Sequence, residues 1–227
     1  MSIWTRITEA LAALTGGEGL AALLDRRRAS PDKSVAFTIA VIALGAKMAK
    51  ADGQVTRDEV SAFRQVFFIP KGEEASAARV FNLARQDVLG FEGYAVRIAA
   101  LFRGDRQVLI DLMEGLFYIA LADGNYHPGE DLFLARIAEI FALDGRCFNS
   151  LKVRFVVGGA PDPYAVLGVE PEAGIADLRL AWRQAVLAAH PDGMRARGVP
   201  AEALKLAEQR LVAINAAWAE INRRRAA

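Results

Sequence analysis

The chain has 227 residues, of which 53% are hydrophobic, and it carries 28 basic against 27 acidic side chains. This composition excludes disorder, and the balance of charge gives no reason to expect a nucleic-acid partner, because nucleic-acid binding needs a basic surface. The single cysteine, Cys147, excludes an intramolecular disulfide and is interpreted as a small buried hydrophobe. The sequence contains no signal-peptide pattern and no uncharged apolar run long enough to span a bilayer, so we expect a soluble cytoplasmic protein.

Apolar residues recur every three or four positions along nearly the whole chain, whereas the alternation typical of strands is almost absent. This periodicity predicts an all-α fold. The first predicted helix is amphipathic and carries its large apolar residues on one side, at Ile3, Trp4, Ile7, Leu11 and Leu14. We favour packing of this side on the protein's own core, with contact to a membrane surface or to a partner as the alternative.

The next predicted helix is long and apolar and ends at about Ala51, and shorter helices follow it. The stretch VVGGAPDPY, residues 156–164, then places two glycines and two prolines in one short run, which stops a helix and predicts a linker. The predicted organisation is an N-terminal helical segment over residues 1–30, a helical domain over 31–157 and a small helical-hairpin domain over 158–227.

An internal repeat occurs within the predicted helical domain, where two turns between helices share Ala-Asp-Gly followed by a glutamate. The acidic pairs are Asp52 with Glu59 and Asp123 with Glu130. Carboxylate oxygens bind hard divalent cations, so a calcium or magnesium site is one interpretation. An EF-hand is excluded, because the first half of its loop is missing and two carboxylates do not supply six to eight ligands.

Helix capping is the other interpretation of these turns, and we favour it. Glu59 completes a capping box that begins at Thr56. Gly124 suits a left-handed helix end, and Pro128 suits the first position of a helix that has Glu130 at its third. Capping implies no cofactor, whereas the other interpretation implies a divalent cation.

The stretches AKADGQVTRDE and LADGNYHPGE resemble the TerB-like domain, the helical module of tellurite-resistance and stress proteins. The resemblance covers about residues 34–154. It implies a helical domain whose acidic turns are candidate metal sites. It therefore adds weight to the divalent-cation interpretation without deciding between the two.

The tripeptide His190-Pro191-Asp192 lies between two amphipathic helices near the end of the chain. Apolar residues at helical spacing occur on both sides of it, at Ile175, Leu178, Trp182, Ala185 and Ala189 before it and at Leu204, Ala207, Leu211, Ile214, Trp218 and Ile221 after it. Two such helices are expected to pack as a hairpin, in which Pro191 ends the first helix and restrains His190 to an extended conformation. The tripeptide is therefore predicted at an exposed hairpin tip. No nucleophile, glycine-rich phosphate loop or set of zinc ligands accompanies it, so we expect no enzyme.

The stretch DPYAVLGV, a helix with LAWRQAV, the tripeptide and then INAAWAEI occur in the order and at the spacing of a DnaJ-type J domain. The chain resembles the DjlA-type co-chaperones, in which a TerB-like domain precedes the J domain. The resemblance implies a DnaK-type ATPase as the partner, whose ATP hydrolysis the J domain accelerates. It assigns partner binding to His190, Pro191, Asp192, Arg179 and Arg183, with the two arginines meeting an acidic groove.

The sequence departs from the J-domain pattern at three positions. Gln184 and Ala188 stand where lysine is expected, and Gly193 follows the tripeptide in place of the common lysine. Because loss of a peripheral cation slows association more than it weakens the docked complex, we expect a weak or partner-specific interaction. The N-terminal membrane anchor of DjlA-type proteins is not found in this sequence, and membrane attachment is not carried over.

These observations predict a co-chaperone that docks on a DnaK-type chaperone through its J domain. Its TerB-like domain would bind an unidentified client or sense stress. Two other functions stay open: a metal-binding stress-response protein with a degenerate J domain, and an adaptor that recruits the chaperone to one client. The sequence has no CxxC zinc module, so general binding of unfolded proteins is not indicated.

Overall fold

The computed structural model describes residues 1–13, 20–24, 32–51, 63–64, 66–86, 89–122, 124–155 and 161–226. Helices dominate and no strand occurs in these ranges, so the predicted all-α fold is confirmed. The α-helices in them are α1 (Ile3–Ala12), α2 (Lys33–Ala51), α3 (Glu74–Gln86), α4 (Phe91–Leu101), α5 (Arg106–Ala120), α6 (Pro128–Ile140), α7 (Gly145–Phe155), α8 (Pro163–Leu167), α9 (Ile175–Ala189), α10 (Pro191–Arg197) and α11 (Lys205–Ala226). Two short 3₁₀ helices accompany them at Leu20–Leu24 and Ala201–Ala203.

The central helix of the N-terminal part of the fold is α2. Its residues 35–48 are all buried, as expected of a helix that is apolar nearly all round. Asp32 caps its start, because the carboxylate Oδ1 accepts a hydrogen bond from the backbone N–H of Ser34 at 2.9 Å. The helices α1, α3, α4 and α5 pack around α2 and complete one hydrophobic core with it.

The N-terminal helix α1 packs on this core. Ile3, Trp4 and Ile7 are buried, and the indole Nε1 of Trp4 donates a hydrogen bond to the carbonyl oxygen of Phe68 at 3.3 Å. The favoured interpretation of its apolar side is therefore confirmed for these residues, whereas Leu14 lies outside the described residues. Within the described ranges, every helix is too short or too polar to cross a membrane.

The C-terminal segment, residues 161–226, opens with the short helix α8. Asp162 caps this helix by accepting a hydrogen bond from the backbone N–H of Tyr164 at 3.3 Å. Pro163 occupies the first helical position, where a backbone N–H is not needed, and Gly168 ends the helix. The stretch DPYAVLG therefore encodes a complete short helix with both of its ends.

The helices α9 and α11 pack against each other and against α8 to form a second, smaller core. Leu178, Ala189, Ile214 and Ile221 are buried in it, as their spacing predicts. Ile175, which was predicted on the same buried side, is instead exposed. It is the first residue of α9, and a helical side chain is tilted towards the helix N-terminus, so this one extends past the packed part of the helix.

The connection between α9 and α11 differs from the predicted hairpin, because a further helix, α10, begins at Pro191. Proline is favoured at this position, since its φ is preset and its missing N–H has no partner to lose. Gly198 ends α10 with a φ of 102°, and a Cβ atom there would lie 2.5 Å from the Cβ of Lys33. Glycine at this position therefore lets the chain turn and contact the beginning of α2.

The same connection packs on the N-terminal part of the fold. Its buried apolar residues Met194, Val199 and Ala203 belong to the core around α2, and so do Leu206 and Ala207 at the beginning of α11. Glu202 adds hydrogen bonds, because its carbonyl oxygen accepts from the N–H of Phe68 at 2.7 Å and its carboxylate accepts from the N–H of Ile3 at 3.0 Å. The predicted linker falls mostly on residues 156–160, outside the described ranges, and the domain boundaries stay predictions.

Candidate functional site

His190 lies between two helices and is both the C-cap residue of α9 and the N-cap residue of α10. Its φ of −65° and ψ of 132° are extended, as Pro191 predicts. The imidazole Nδ1 accepts a hydrogen bond from the backbone N–H of Asp192 at 3.2 Å. With Nδ1 as the acceptor, the proton of the neutral ring is on Nε2, which is left to donate outwards.

Two of the three side chains of the tripeptide, those of His190 and Asp192, are exposed to solvent. The side chain of His190 is 55% exposed and that of Asp192 is 76% exposed. The Oδ1 atom of Asp192 lies 3.2 Å from the Nη1 atom of Arg195, three residues further along α10. Sequence reasoning missed Arg195, although the spacing of three residues from Asp192 is typical of an ion pair on a helix.

The two arginines assigned to partner binding, Arg179 and Arg183, are exposed on α9. Neither forms an ion pair with a carboxylate in the described ranges. Two leucines beside them, Leu180 and Leu187, are 55% and 72% exposed. Sequence reasoning missed these leucines too, although both lie off the buried positions of the helix.

The arginines and leucines lie on one side of α9, because a helix has 3.6 residues per turn and Arg183 is three or four residues from each of the other three. We define the docking face as the six exposed side chains Arg179, Leu180, Arg183, Leu187, His190 and Asp192. The docking face thus contains the two predicted partner-binding arginines of α9 and the predicted tripeptide that follows directly at the end of this helix, where Pro191 fixes the turn. It combines positive charge, apolar surface and one carboxylate.

The docking face is held by contacts on the opposite side of α9. Trp182 stacks on Trp218 of α11 with ring centroids 5.3 Å apart, and its Nε1 donates to Oδ1 of Asn215 at 3.1 Å. At the end of α9, the Nη2 atom of Arg197 donates to the carbonyl oxygen of Ala188 at 2.7 Å. This hydrogen bond satisfies one of the carbonyls that a helix end leaves without a partner.

A buried ionic network joins the C-terminal segment to α5 and α7. Arg210 donates from Nη1 to Oδ1 of Asp111 at 2.7 Å and also binds Glu114 through Nε and Nη2. Arg197 donates from Nε to Oδ2 of Asp111, and Arg154 donates from Nη1 to Oε1 of Glu114, both at 3.1 Å. Burial lowers the pKa of Arg210, but Glu114 and Asp111 outweigh that effect and raise it.

Of the acidic turns, only Glu130 lies in a described range, whereas Asp52, Glu59 and Asp123 lie outside. The Oε2 atom of Glu130 accepts a hydrogen bond from the backbone N–H of His127 at 2.9 Å, which is the bond expected of a capping residue. In the part of the chain that the structure describes, no three acidic, histidine or cysteine side chains are grouped as metal ligands. A divalent cation at these turns stays a prediction.

Substitution of Glu130 separates capping from metal binding. If Glu130 acts as a cap, Glu130→Ala is expected to lower the free energy of unfolding by about 1 kcal/mol, while Glu130→Gln keeps the hydrogen bond and costs less. Thermal melts of both variants and the wild type, each with EDTA and with excess calcium, provide the measurement. A calcium-dependent rise in the wild-type melting temperature that is lost in Glu130→Gln would favour the metal site instead.

Comparison with known families identifies the N-terminal part of the fold. A family model described as tellurite resistance protein TerB matches residues 38–153, which is half of the chain. The chain belongs to the TerB family. The match begins within α2 and ends within α7, so it contains Asp111 and Glu114 of the ionic network, whereas Arg154 lies one residue beyond its end. The docking face lies further along the chain.

Curated relatives span both parts of the chain. Proteins named co-chaperone protein DjlA from Photobacterium profundum, Coxiella burnetii and Escherichia coli are 26%, 26% and 23% identical to it. The matches cover 89%, 78% and 75% of this chain and 82%, 73% and 73% of the relatives. The predicted resemblance to DjlA-type co-chaperones is therefore confirmed. No solved structure gives a significant match.

Proposed function

We propose that this TerB-family protein is a cytoplasmic co-chaperone that binds a DnaK-type ATPase through the docking face and accelerates its ATP hydrolysis. The observation that carries the proposal is the His190-Pro191-Asp192 turn, whose His190 and Asp192 side chains are exposed. It directly follows the helix α9, which carries two exposed arginines that form no ion pair among the described residues. The relatives named co-chaperone protein DjlA support the same role.

The docking face suits a partner surface that combines acidic and apolar groups. Arg179 and Arg183 attract an acidic groove from a distance, which speeds association and orients the two proteins. Leu180 and Leu187 lose contact with water once the partner covers them, and complete burial of one such side chain contributes roughly 1.5–3 kcal/mol. Charge therefore accounts for the rate of encounter and the leucines for part of the affinity.

Acceleration of ATP hydrolysis requires no chemistry on this chain. A partner that exchanges between two states shifts towards the state that the docking face binds more tightly, by an amount set by the difference in affinity. His190 and Asp192 supply the directional contacts for this discrimination, because the His190 ring is oriented by the Asp192 N–H and the Asp192 carboxylate adds an acceptor beside Arg195. A preference of about 1.4 kcal/mol between the two states changes their ratio tenfold.

The TerB domain would bind the client or sense stress in this proposal. The ionic network of Arg197 and Arg210 with Asp111 and Glu114 ties the C-terminal segment to the TerB domain. The docking face therefore keeps one orientation relative to the TerB domain. A client bound there is presented to the chaperone at a high effective concentration and in one geometry.

Single-turnover ATP hydrolysis by the DnaK of the same organism tests the proposal. The hydrolysis rate is measured at increasing concentrations of this protein, and we expect an acceleration that saturates. An unchanged rate at concentrations where binding is detected would overturn the co-chaperone role and favour an adaptor. An unchanged rate without binding would favour the metal-responsive stress protein.

The charge on α9 is expected to control the rate of association. Arg183→Ala should lower the association rate constant and make it less sensitive to ionic strength, because salt screens the attraction that this arginine provides. Gln184→Lys restores a cation at an exposed position and should raise the same rate constant. Stopped-flow binding at low and high salt measures both effects. An association rate that neither substitution changes would place the contact elsewhere on the chain.

A further inference from the structure

A cleft of about 290 Å³ lies between the TerB domain and the C-terminal segment. Residues of α5 and α7 form one wall, and residues of α8, α9 and α11 form the other. Four arginines line the cleft, namely Arg106, Arg146, Arg154 and Arg210. The single cysteine of the chain, Cys147, lines it as well, and none of these residues belongs to the docking face.

Two of the four arginines, Arg106 and Arg146, form ion pairs that are exposed to solvent. The Nη2 atom of Arg106 lies 2.9 Å from Oδ2 of Asp144, and the Nη2 atom of Arg146 lies 2.8 Å from Oε1 of Glu170. All four side chains in these two pairs are more than half exposed, so the pairs contribute little to stability.

The other two arginines, Arg154 and Arg210, belong to the buried ionic network, and the charges of that network do not balance. It contains three arginines, which include Arg197, but only two carboxylates, those of Asp111 and Glu114. Three positive and two negative charges leave one uncompensated positive charge among the described residues. Because the carboxylates are at most 1% exposed, little water reaches the network to screen that charge.

Of the three arginines, Arg154 makes the fewest contacts with the carboxylates, so we assign the uncompensated charge to it. Its Nε donates to the carbonyl oxygen of Ser150 and its Nη1 to Glu114, both at 3.1 Å. Its Nη2 has no partner in the described ranges, although the side chain is only 10% exposed. Burial above all, together with the nearby charge of Arg210, lowers the pKa of Arg154, although Glu114 acts in the opposite direction. An arginine nevertheless keeps its proton near neutral pH, so the positive charge remains.

We propose that the cleft binds a phosphate group, free or esterified to a small molecule, against Arg154. A planar guanidinium whose Nη2 has no partner among the described residues matches the oxygens of phosphate, and a buried positive charge is stabilised by an anion that replaces the missing carboxylate. The volume exceeds what a single atomic ion occupies. Because both walls contribute, bound phosphate would strengthen the attachment of the C-terminal segment to the TerB domain. The proposal is independent of the proposed co-chaperone function.

Thermal melts of the full chain in inorganic phosphate and in sodium chloride of equal ionic strength test this proposal. We expect phosphate to raise the melting temperature of the wild type in a saturable way, by about 5 °C at a hundredfold excess over Kd. Arg154→Gln removes the uncompensated charge and should abolish the rise. The matched control Arg85→Gln, at an exposed arginine that does not line the cleft, should retain it. A rise that sodium chloride reproduces, or that Arg154→Gln retains, would overturn the proposal.

Reactivity of Cys147 gives a second measurement, which does not depend on the folding of a variant. Modification of this thiol by a small thiol reagent should slow at least about fivefold in saturating phosphate, because the ligand occupies the same cleft. Glycerol 3-phosphate is run in parallel: tighter protection than by inorganic phosphate identifies an esterified ligand, and weaker protection identifies the free ion. Absence of saturable protection by both would overturn the proposal.

Discussion

His190→Gln is expected to abolish the acceleration of ATP hydrolysis by the DnaK-type partner, so that the rate with and without the variant is the same. Glutamine lacks the ring that accepts the Asp192 N–H at Nδ1 and donates outwards from Nε2. The variant should remain folded, because His190 is exposed and contributes a single cap to a short helix. The expected loss in the free energy of unfolding is no more than about 1 kcal/mol.

Two further substitutions make this result specific to the docking face. Asp192→Asn removes the charge while keeping the shape, and it should also abolish the acceleration. Arg195→Ala removes the ion-pair partner of Asp192 but leaves the carboxylate, and it should retain most of the acceleration. Glu208→Gln, at an exposed position of α11 outside the docking face, serves as the control. If Arg195→Ala reduced the acceleration of ATP hydrolysis as much as Asp192→Asn, the acceleration would depend on the exposed ion pair and not on a contact of the Asp192 carboxylate with the partner.

The parts of the docking face that were predictable from the sequence are those that depend on local chemistry. Pro191 ends one helix and fixes the conformation of His190 whatever surrounds it, and helical spacing places Arg179 and Arg183 on the side of α9 away from its buried residues. The helix α10 was missed, because two helices joined by a proline suggest a simple turn. The glycine that ends α10, Gly198, is needed because the chain approaches the beginning of α2 closely there, and this approach is visible only in the structure.

The ionic network was missed for a different reason, which is the distance between its members in the sequence. Arg210 lies 96 and 99 residues from the carboxylates that it binds, and no local pattern relates them. One signal was available in the sequence RQVLIDLMEGLF, where Asp111 and Glu114 interrupt the apolar side of α5. A carboxylate at a core position requires a buried cation, so the pair predicts partners without identifying them.

We expect the substitution Glu114→Gln to lower the free energy of unfolding most. The Glu114 carboxylate is only 1% exposed and accepts hydrogen bonds from both Arg154 and Arg210. Glu114→Gln is nearly isosteric, so it leaves no cavity. The glutamine NH₂ group would face one guanidinium, and the three arginines, of which Arg210 is buried, would share a single carboxylate. Removal of one partner from a buried ion pair costs about 3–5 kcal/mol.

The reason for this loss is charge balance, and the matched substitution Arg154→Gln tests it. That variant brings the same network to two arginines and two carboxylates, and Glu114 keeps the hydrogen bonds from Arg210. We therefore expect it to cost less than half as much, and Glu114→Gln to cost less when made in the Arg154→Gln background than in the wild type. Urea unfolding of the single and double variants measures these differences.

Glu92→Gln, in an exposed ion pair with Arg136, is the control and should cost at most about 1 kcal/mol. If Glu114→Gln costs no more than this control, the network does not hold the C-terminal segment on the TerB domain, and the fixed orientation of the docking face loses its physical basis.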